Sequence, residues 1–430
     1  MNSLTTKELI FISFMLFSMF FGAGNLIFPA FLGYSSGSDV WVSLAGLVIT
    51  AVGLPILGVI AVGKAGSLKT LATRVHPLFA LVFPILIYLS IGPGLAIPRA
   101  GTISFEMGMK PFLSADANET MMLFVYTLVF FSIVLWLSLT PSKLVDRFGK
   151  LLTPILLILV AIIFVKSLIS PIDSFSPAVG SYAEIPFFQG FLDGYLTMDA
   201  LAALVYGIVV VNTIRAKGVT DSALISKYMQ LAGLGAGILL TAIYGVLAYL
   251  GASSSGLGDA TNGTEVLTLG MDALFGQAGI VLLGVLFILA CLCVSISLVI
   301  SCSQYFSELL PFMSYKGWAV VMAVLSLGIA NLGLNQILAI SVPILGAIYP
   351  LAIVLIALGL LNRYVNNTVY LWTMIFTGIF SIVETINHSF LGGALDGVLS
   401  FFPLYTEGVG WIIPAIVGAL VGMIVHKMKQ

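Results

Sequence analysis

Residues 19–29 read Met19-Phe20-Phe21-Gly22-Ala23-Gly24-Asn25-Leu26-Ile27-Phe28-Pro29. They sit near the middle of an apolar run that begins at Leu9 and continues past Phe31, too long for the h-region of a cleavable signal. Two glycines and an asparagine within four residues are poor helix formers, so the helix expected here is weakest at its centre. Glycine alone also allows close helix packing, which suits Gly233-x-Gly235-x-Gly237. Asparagine adds an exposed amide, so a break explains residues 22–25 better. The stretch reads as a helix interrupted inside a membrane.

The rest of the chain agrees. Of 430 residues, 60% are hydrophobic and 8% charged, where a soluble surface needs about 25% charged residues to be wetted. Apolar runs long enough to cross a bilayer as helices recur throughout, and the alternating ten-residue segments of a membrane barrel are absent. The spacing predicts spans near 7–33, 39–63, 76–106, 119–139, 149–169, 189–214, 226–251, 275–306, 317–333, 335–361, 367–387 and 410–426. No long polar stretch separates them, so residues 1–430 form one membrane domain. The class is an all-α polytopic membrane protein with 12 transmembrane helices.

Positive charges stay on the cytoplasmic side of a membrane. With the N-terminus inside, only Lys110 and Lys166 fall outside and Arg99 within a span, leaving 14 of the 17 Lys and Arg inside. Both termini are therefore expected in the cytoplasm. The net charge of −1 implies no nucleic-acid partner. The three cysteines share one apolar segment and staple no outer loops, which suits a bacterial inner membrane.

A second interruption, Gly190-Phe191-Leu192-Asp193-Gly194-Tyr195-Leu196-Thr197-Met198-Asp199, lies in the sixth predicted span. Five spans separate it from the first, and five is odd, so a second five-helix unit enters the membrane inverted. Paired breaks in two inverted halves mark a transporter's binding site. Amides freed by the first break, over Gly22, Ala23, Gly24, Asn25 and Leu26, suit a carboxylate. Carbonyls around Phe20, Phe21, Tyr195 and Leu196 suit an ammonium or a cation. A zwitterion needs both, and Phe20, Phe21 and Met198 are then expected to line an aliphatic pocket.

Asp199 either receives an ammonium, holds a cation or carries a proton, or else caps the resumed helix as its N-cap. Arg99 is either an outer gate or a support of the third span, with Glu106 at i+7 its expected partner. In the eighth span, Ser295, Ser297, Ser301 and Ser303 either bond back to carbonyls one turn earlier or offer oxygens to sodium.

These residues together resemble the bacterial branched-chain amino acid:cation symporter family (LIVCS, the BrnQ carriers), over essentially the full length. The most specific pieces are Phe-Phe-Gly-Ala-Gly-Asn-Leu-Ile-Phe-Pro (20–29), Gly-Leu-Pro (53–55), Ala-Ile-Pro-Arg (96–99), Gly-Tyr-Leu-Thr-Met-Asp (194–199), Asn-Leu-Gly-Leu (331–334) and Ser-Val-Pro-Ile-Leu (341–345). The resemblance implies sodium-coupled uptake of leucine, isoleucine and valine. It also implies a LeuT-type five-plus-five inverted repeat, 7–170 and 189–361, with two accessory helices over 367–427.

By the same resemblance, Asn25 and Thr197 share a sodium beside the substrate. The carbonyls of Ser18 and Phe21 face a second sodium held from the eighth span by Ala290, Cys293, Ser295 and Ser297. Where such carriers have adjacent threonines, this chain has Cys293-Val294, and sulfur is a poor ligand for a hard cation. That departure keeps a proton-coupled permease using Asp199 as the alternative. No Walker motif supports ATP as energy source, and no Ser–His or His-x-x-x-His pairing supports an intramembrane enzyme.

Overall fold

The computed structural model describes residues 3–114, 116–143, 145–170 and 172–428. Among these residues every regular element is helical, and a helix stands at each of the twelve predicted positions. We number the helices by those positions. Among the described residues nine helical stretches are long and apolar enough to cross a membrane, and Tyr315–Ala330 and Ile412–Met428 are shorter apolar helices. One of the nine, Ala23–Ala65, has 43 residues. At 1.5 Å per residue it measures about 65 Å, twice a bilayer's hydrocarbon core. It therefore folds back at the 3-10 turn Gly37–Asp39 and comprises the end of helix one and all of helix two.

Two helices are broken where the sequence is weakest. Helix one consists of Thr6–Phe20 and Ala23–Ser36, separated by Phe21 and Gly22 in extended conformation. Helix six consists of Pro186–Leu196 and Asp199–Ala216. Its break falls at Thr197 and Met198, and Met198 takes the left-handed conformation at φ +66°. Helix three is kinked: Pro77–Leu89 leads into a π turn, Ser90–Gly94, and the chain resumes at Ala96–Gly108. Pro93 offers no N–H to the ladder, and Gly92 departs from helical geometry at ψ −125°.

Helix one lies along helix seven (Ser222–Ser253), and helix six lies along helix two. This exchange, one to seven and six to two, is the packing that two inverted copies of one motif generate. Both seams use bare backbone. A Cβ on Gly33 would stand 2.0 Å from the Ala248 carbonyl oxygen, and one on Gly251 would stand 1.9 Å from that of Ala30. Between helices six and two, Gly46 meets Phe187 O at 2.0 Å and Gly190 meets Ser43 O at 1.9 Å on the same construction. Gly233 and Gly237 face Ile56 while Gly235 faces Ser13, so that glycine run is a packing device, as expected.

The outer rim is apolar. Leu78, Ile158, Ile238, Val324, Ile379 and Ile424 are all more than half exposed. Each would cost about 1.5–3 kcal/mol in water if left uncovered, and hydrocarbon removes that cost.

The expected Arg99–Glu106 pair does not form. Glu106 pairs with Lys110 at 3.0 Å, and Lys110 also reaches Glu119 at 2.7 Å. Residues four apart are neighbours on a helix, whereas seven residues separate two groups by about 10 Å along the axis.

Candidate functional site

At the first break the Phe21 N–H still donates to Phe17 O, at 2.8 Å. The next amide, Gly22 N–H, ordinarily bonds the Ser18 carbonyl but donates instead to Asn25 Oδ1 at 3.0 Å. The Asn25 side chain thus caps the resumed helix and frees a carbonyl of the helix before it. Its Nδ2 donates across the site to Asp199 Oδ2 and to the Tyr244 hydroxyl, each at 2.5 Å. Tyr244 OH donates to the same carboxylate oxygen at 3.1 Å. Asn25 and Asp199 are each only 2% exposed, so this triad ties the two breaks together away from water.

The second break is held locally. Thr197 Oγ1 donates to Gly194 O at 2.8 Å and accepts the Asp199 N–H at 3.4 Å. The N-cap position belongs to Met198, which corrects the capping reading of Asp199. Its carboxylate points to Asn25 and Tyr244 instead.

Between the breaks stands Arg99, carried in by the restart of helix three and only 4% exposed. Its Nη1 donates to Leu196 O at 2.9 Å, at the end of the first half of helix six. Its guanidinium lies 5.8 Å from the Phe28 ring centre. A cation beside a helix C-terminus is favourably placed.

These groups line one cavity of about 30 Å³, room for about two waters. Met19, Phe20, Gly22, Ala23, Gly24, Asn25, Thr197, Met198 and Asp199 line it, joined by Ile91, Ala96, Arg99, Ala100, Ala202, Val294 and Leu298. Most of the expected substrate residues are therefore together. Phe21 and Tyr195 are not among the lining residues. The Phe21 ring stacks on Phe17 at 5.0 Å, and Tyr195 stacks on Tyr349 at 4.4 Å. Extending the backbone at Phe21 swings its ring off the face that carries Phe20. Val294 is a wall of the cavity: a Cβ on Gly22 would stand 2.9 Å from its Cγ1.

The helix-eight residues divide. Ser297 Oγ donates to Cys293 O at 2.7 Å and Ser301 Oγ to Ser297 O at 2.8 Å, the back-bonding arrangement. Ser295 Oγ is buried without a hydrogen-bond partner among the described residues, and Ala290 and Cys293 are fully buried. On helix one, Ser18 Oγ meets Thr153 Oγ1 at 2.5 Å, and Thr153 donates to Phe14 O at 2.8 Å. Thr153, from helix five, was not anticipated. Nor were Tyr244, Ile91, Ala202 or Leu298, which lie in runs that read simply as apolar helix.

Comparison with known proteins fits this geometry. The family model described as branched-chain amino acid transport protein matches residues 5–429. The chain belongs to that family. It is 46% identical to the branched-chain amino acid permease BraB of Bacillus subtilis (strain 168), covering 98% of this chain and 96% of that one. It is 40% identical to the branched-chain amino acid transport system 2 carrier protein of Pseudomonas aeruginosa, covering 100% and 98%. It is 37% identical to the permease BrnQ of Escherichia coli (strain K12), covering 98% and 96%. Among solved structures, Mhp1, a nucleobase-cation-symport-1 family transporter, superposes with a TM-score of 0.63 at 14% identity, covering 98% of this chain and 92% of that one. MhsT in complex with L-phenylalanine superposes at 0.58 with 16% identity, covering 97% and 99%. The transporter thus has the LeuT-type fold and is not an enzyme.

Proposed function

We propose that this chain imports leucine, isoleucine and valine by cation symport through alternating access, with Na+ as the coupling ion. The convergence of both helix breaks on one buried cavity carries the reading. Freed amides, a carboxylate and apolar walls suit a zwitterion with an aliphatic side chain. The names of the relatives supply branched-chain amino acids as that substrate. At about 30 Å³ the cavity is too small for such a side chain, so binding requires its walls to part.

On this reading the chain crosses a bacterial inner membrane twelve times, with both ends cytoplasmic. The repeats are 7–170 and 189–361, followed by accessory helices over 367–427. The carbonyls of Ser18, Phe21 and Ala290, with Ser295 or Ser297, would hold one sodium. The oxygens of Asn25 and Thr197 would hold another. Each cation that accompanies the neutral substrate moves one charge, worth about 2.3 kcal/mol at 100 mV. A tenfold gradient adds about 1.4 kcal/mol, and together these permit accumulation of several hundredfold.

Proteoliposomes with imposed gradients test the coupling. Leucine accumulation should follow an inward sodium gradient at equal pH on both sides. Uptake indifferent to sodium would overturn sodium symport. The buried carboxylate of Asp199 favours a proton as the second reading. Under it, Asp199→Asn should abolish accumulation while exchange of internal for external leucine continues. Sodium symport expects Asp199→Asn to weaken binding and exchange alike. Thr197→Ala supplies a further check: the sodium dependence of leucine binding should become weaker, and an unchanged dependence would remove Thr197 from the ion site.

A further inference from the structure

Two positive features converge on one side of the cavity. The first is the N-terminus of Ala23–Ser36, whose first-turn N–H groups carry about half a positive charge. The second is the Arg99 guanidinium. A Cβ on Gly24 would stand 3.1 Å from its Nη2, so the cation sits close against the helix start. The Asp199 carboxylate, across the cavity, offsets part of this positive charge, and an anion lying between the two features would offset more. Among the described residues, the bond from Nη1 to the neutral Leu196 carbonyl is the side chain's one hydrogen bond. A guanidinium has five N–H donors in a planar fork, and four remain for a ligand. On the other side of the cavity, the Asn25 and Tyr244 hydrogen bonds to Asp199 both end on Oδ2, and Thr197 also lies against the carboxylate, whose two oxygens together have about four lone-pair sites.

We propose that Arg99 binds the carboxylate of the substrate amino acid, in concert with the backbone amides that follow Gly22, while the Asp199 carboxylate receives its ammonium. The inference rests on the amino-acid transport reading and deepens it. Guanidinium and carboxylate match geometrically as a two-bond fork, and a buried cation within a membrane helix is costly enough to require such a use. Arg99 supplies the positive charge next to the carboxylate, so the coupling cation need not touch it. The Asn25 amide, committed to Gly22, Asp199 and Tyr244, then acts as the brace between the breaks. Holding the Leu196 carbonyl and the substrate at once, Arg99 also links helix three to helix six only when its fork is oriented for both.

The test compares leucine with leucinol, which keeps the ammonium and side chain but replaces the carboxylate by a hydroxymethyl group. Binding of radiolabelled leucine to the purified full-length protein is competed by each compound. In the wild type, leucinol should bind ~100-fold more weakly than leucine, the loss typical of removing one partner of a buried charged pair. In Arg99→Gln, leucine affinity should fall ~100-fold while leucinol changes less than threefold, so the preference disappears. Arg99→Lys keeps the charge without the fork, and its leucine affinity should fall ~10-fold. Equal losses for both ligands in Arg99→Gln would make Arg99 a support of the fold only and overturn the proposal. Wild-type protein decides the matter even where the variants fail to fold. A leucinol affinity equal to that of leucine, or a preference for leucine that grows with sodium concentration, would place the carboxylate on something other than Arg99. Failure of the wild type to bind leucine, isoleucine or valine would instead sink the transport reading itself.

Discussion

Replacing Asn25 by alanine should abolish leucine uptake and lower the melting temperature of the purified protein by several degrees. The residue makes three buried hydrogen bonds, to Gly22 N–H, Asp199 and Tyr244. Each group left without a partner costs about 1–3 kcal/mol, and the loss at Asp199 falls on a carboxylate. Alanine also uncaps the resumed half of helix one, which costs a further ~1 kcal/mol where a cap is lost. Asn25→Asp separates these roles. It restores an acceptor for Gly22 N–H but sets a second carboxylate against the first, and two carboxylates in contact cannot both ionise. It should therefore be no better than alanine at pH 8 in leucine binding. Wild-type binding and melting in Asn25→Ala would show that the breaks are held together by something else.

The second large effect concerns the glycines where helices cross. Gly251→Ala should destabilise by about 3 kcal/mol, the upper end of ordinary overpacking, because its Cβ would stand 1.9 Å from the Ala30 carbonyl oxygen. Backbone cannot rotate aside as a side chain can. Gly251→Leu should leave no folded protein in detergent, and Gly190→Leu should behave alike through Ser43 O, also 1.9 Å away. Gly245 is the internal control, since a Cβ there meets nothing within 4 Å. Gly245→Ala should be neutral, or stabilising by ~0.5–1 kcal/mol because alanine is the better helix former. Equal melting temperatures for Gly251→Ala and Gly245→Ala would refute the close crossing.

Much of this was legible in the residues. Hydrophobic runs and charge alternation located the helices, and two clusters of glycine and polar residues located both breaks, because low helix propensity in the middle of a span has few other uses. What escaped was whatever depends on direction in space. Arg99 was placed correctly in a span, but its partner was sought along its own helix, whereas it crosses to Leu196, 97 positions away in the chain. Phe21 was expected in the pocket because it adjoins Phe20. The extended step between the half-helices sends the two rings to different neighbours. Tyr244 lies in an uninterrupted apolar helix, and no local pattern distinguishes a tyrosine that anchors a carboxylate from one that fills a core. The Cys293-Val294 departure gained a steric meaning: Val294 covers Gly22, where a hydroxyl had been sought.

The backbone-to-backbone seams have a mechanical result. Helices one and seven, and likewise six and two, touch without intervening side chains, so neither pair has play in which to slide. Helices three and eight meet through Gly284 and Gly108 and form the opposite wall of the cavity. A cavity bounded by two stiff bodies changes shape only by rocking one against the other. In the proposed alternating-access cycle, such a joint would widen one mouth as it narrows the other, so solutes would meet no continuous path across the membrane. Leak-tightness, on this view, comes less from a dedicated gate than from helices too closely fitted to yield one at a time.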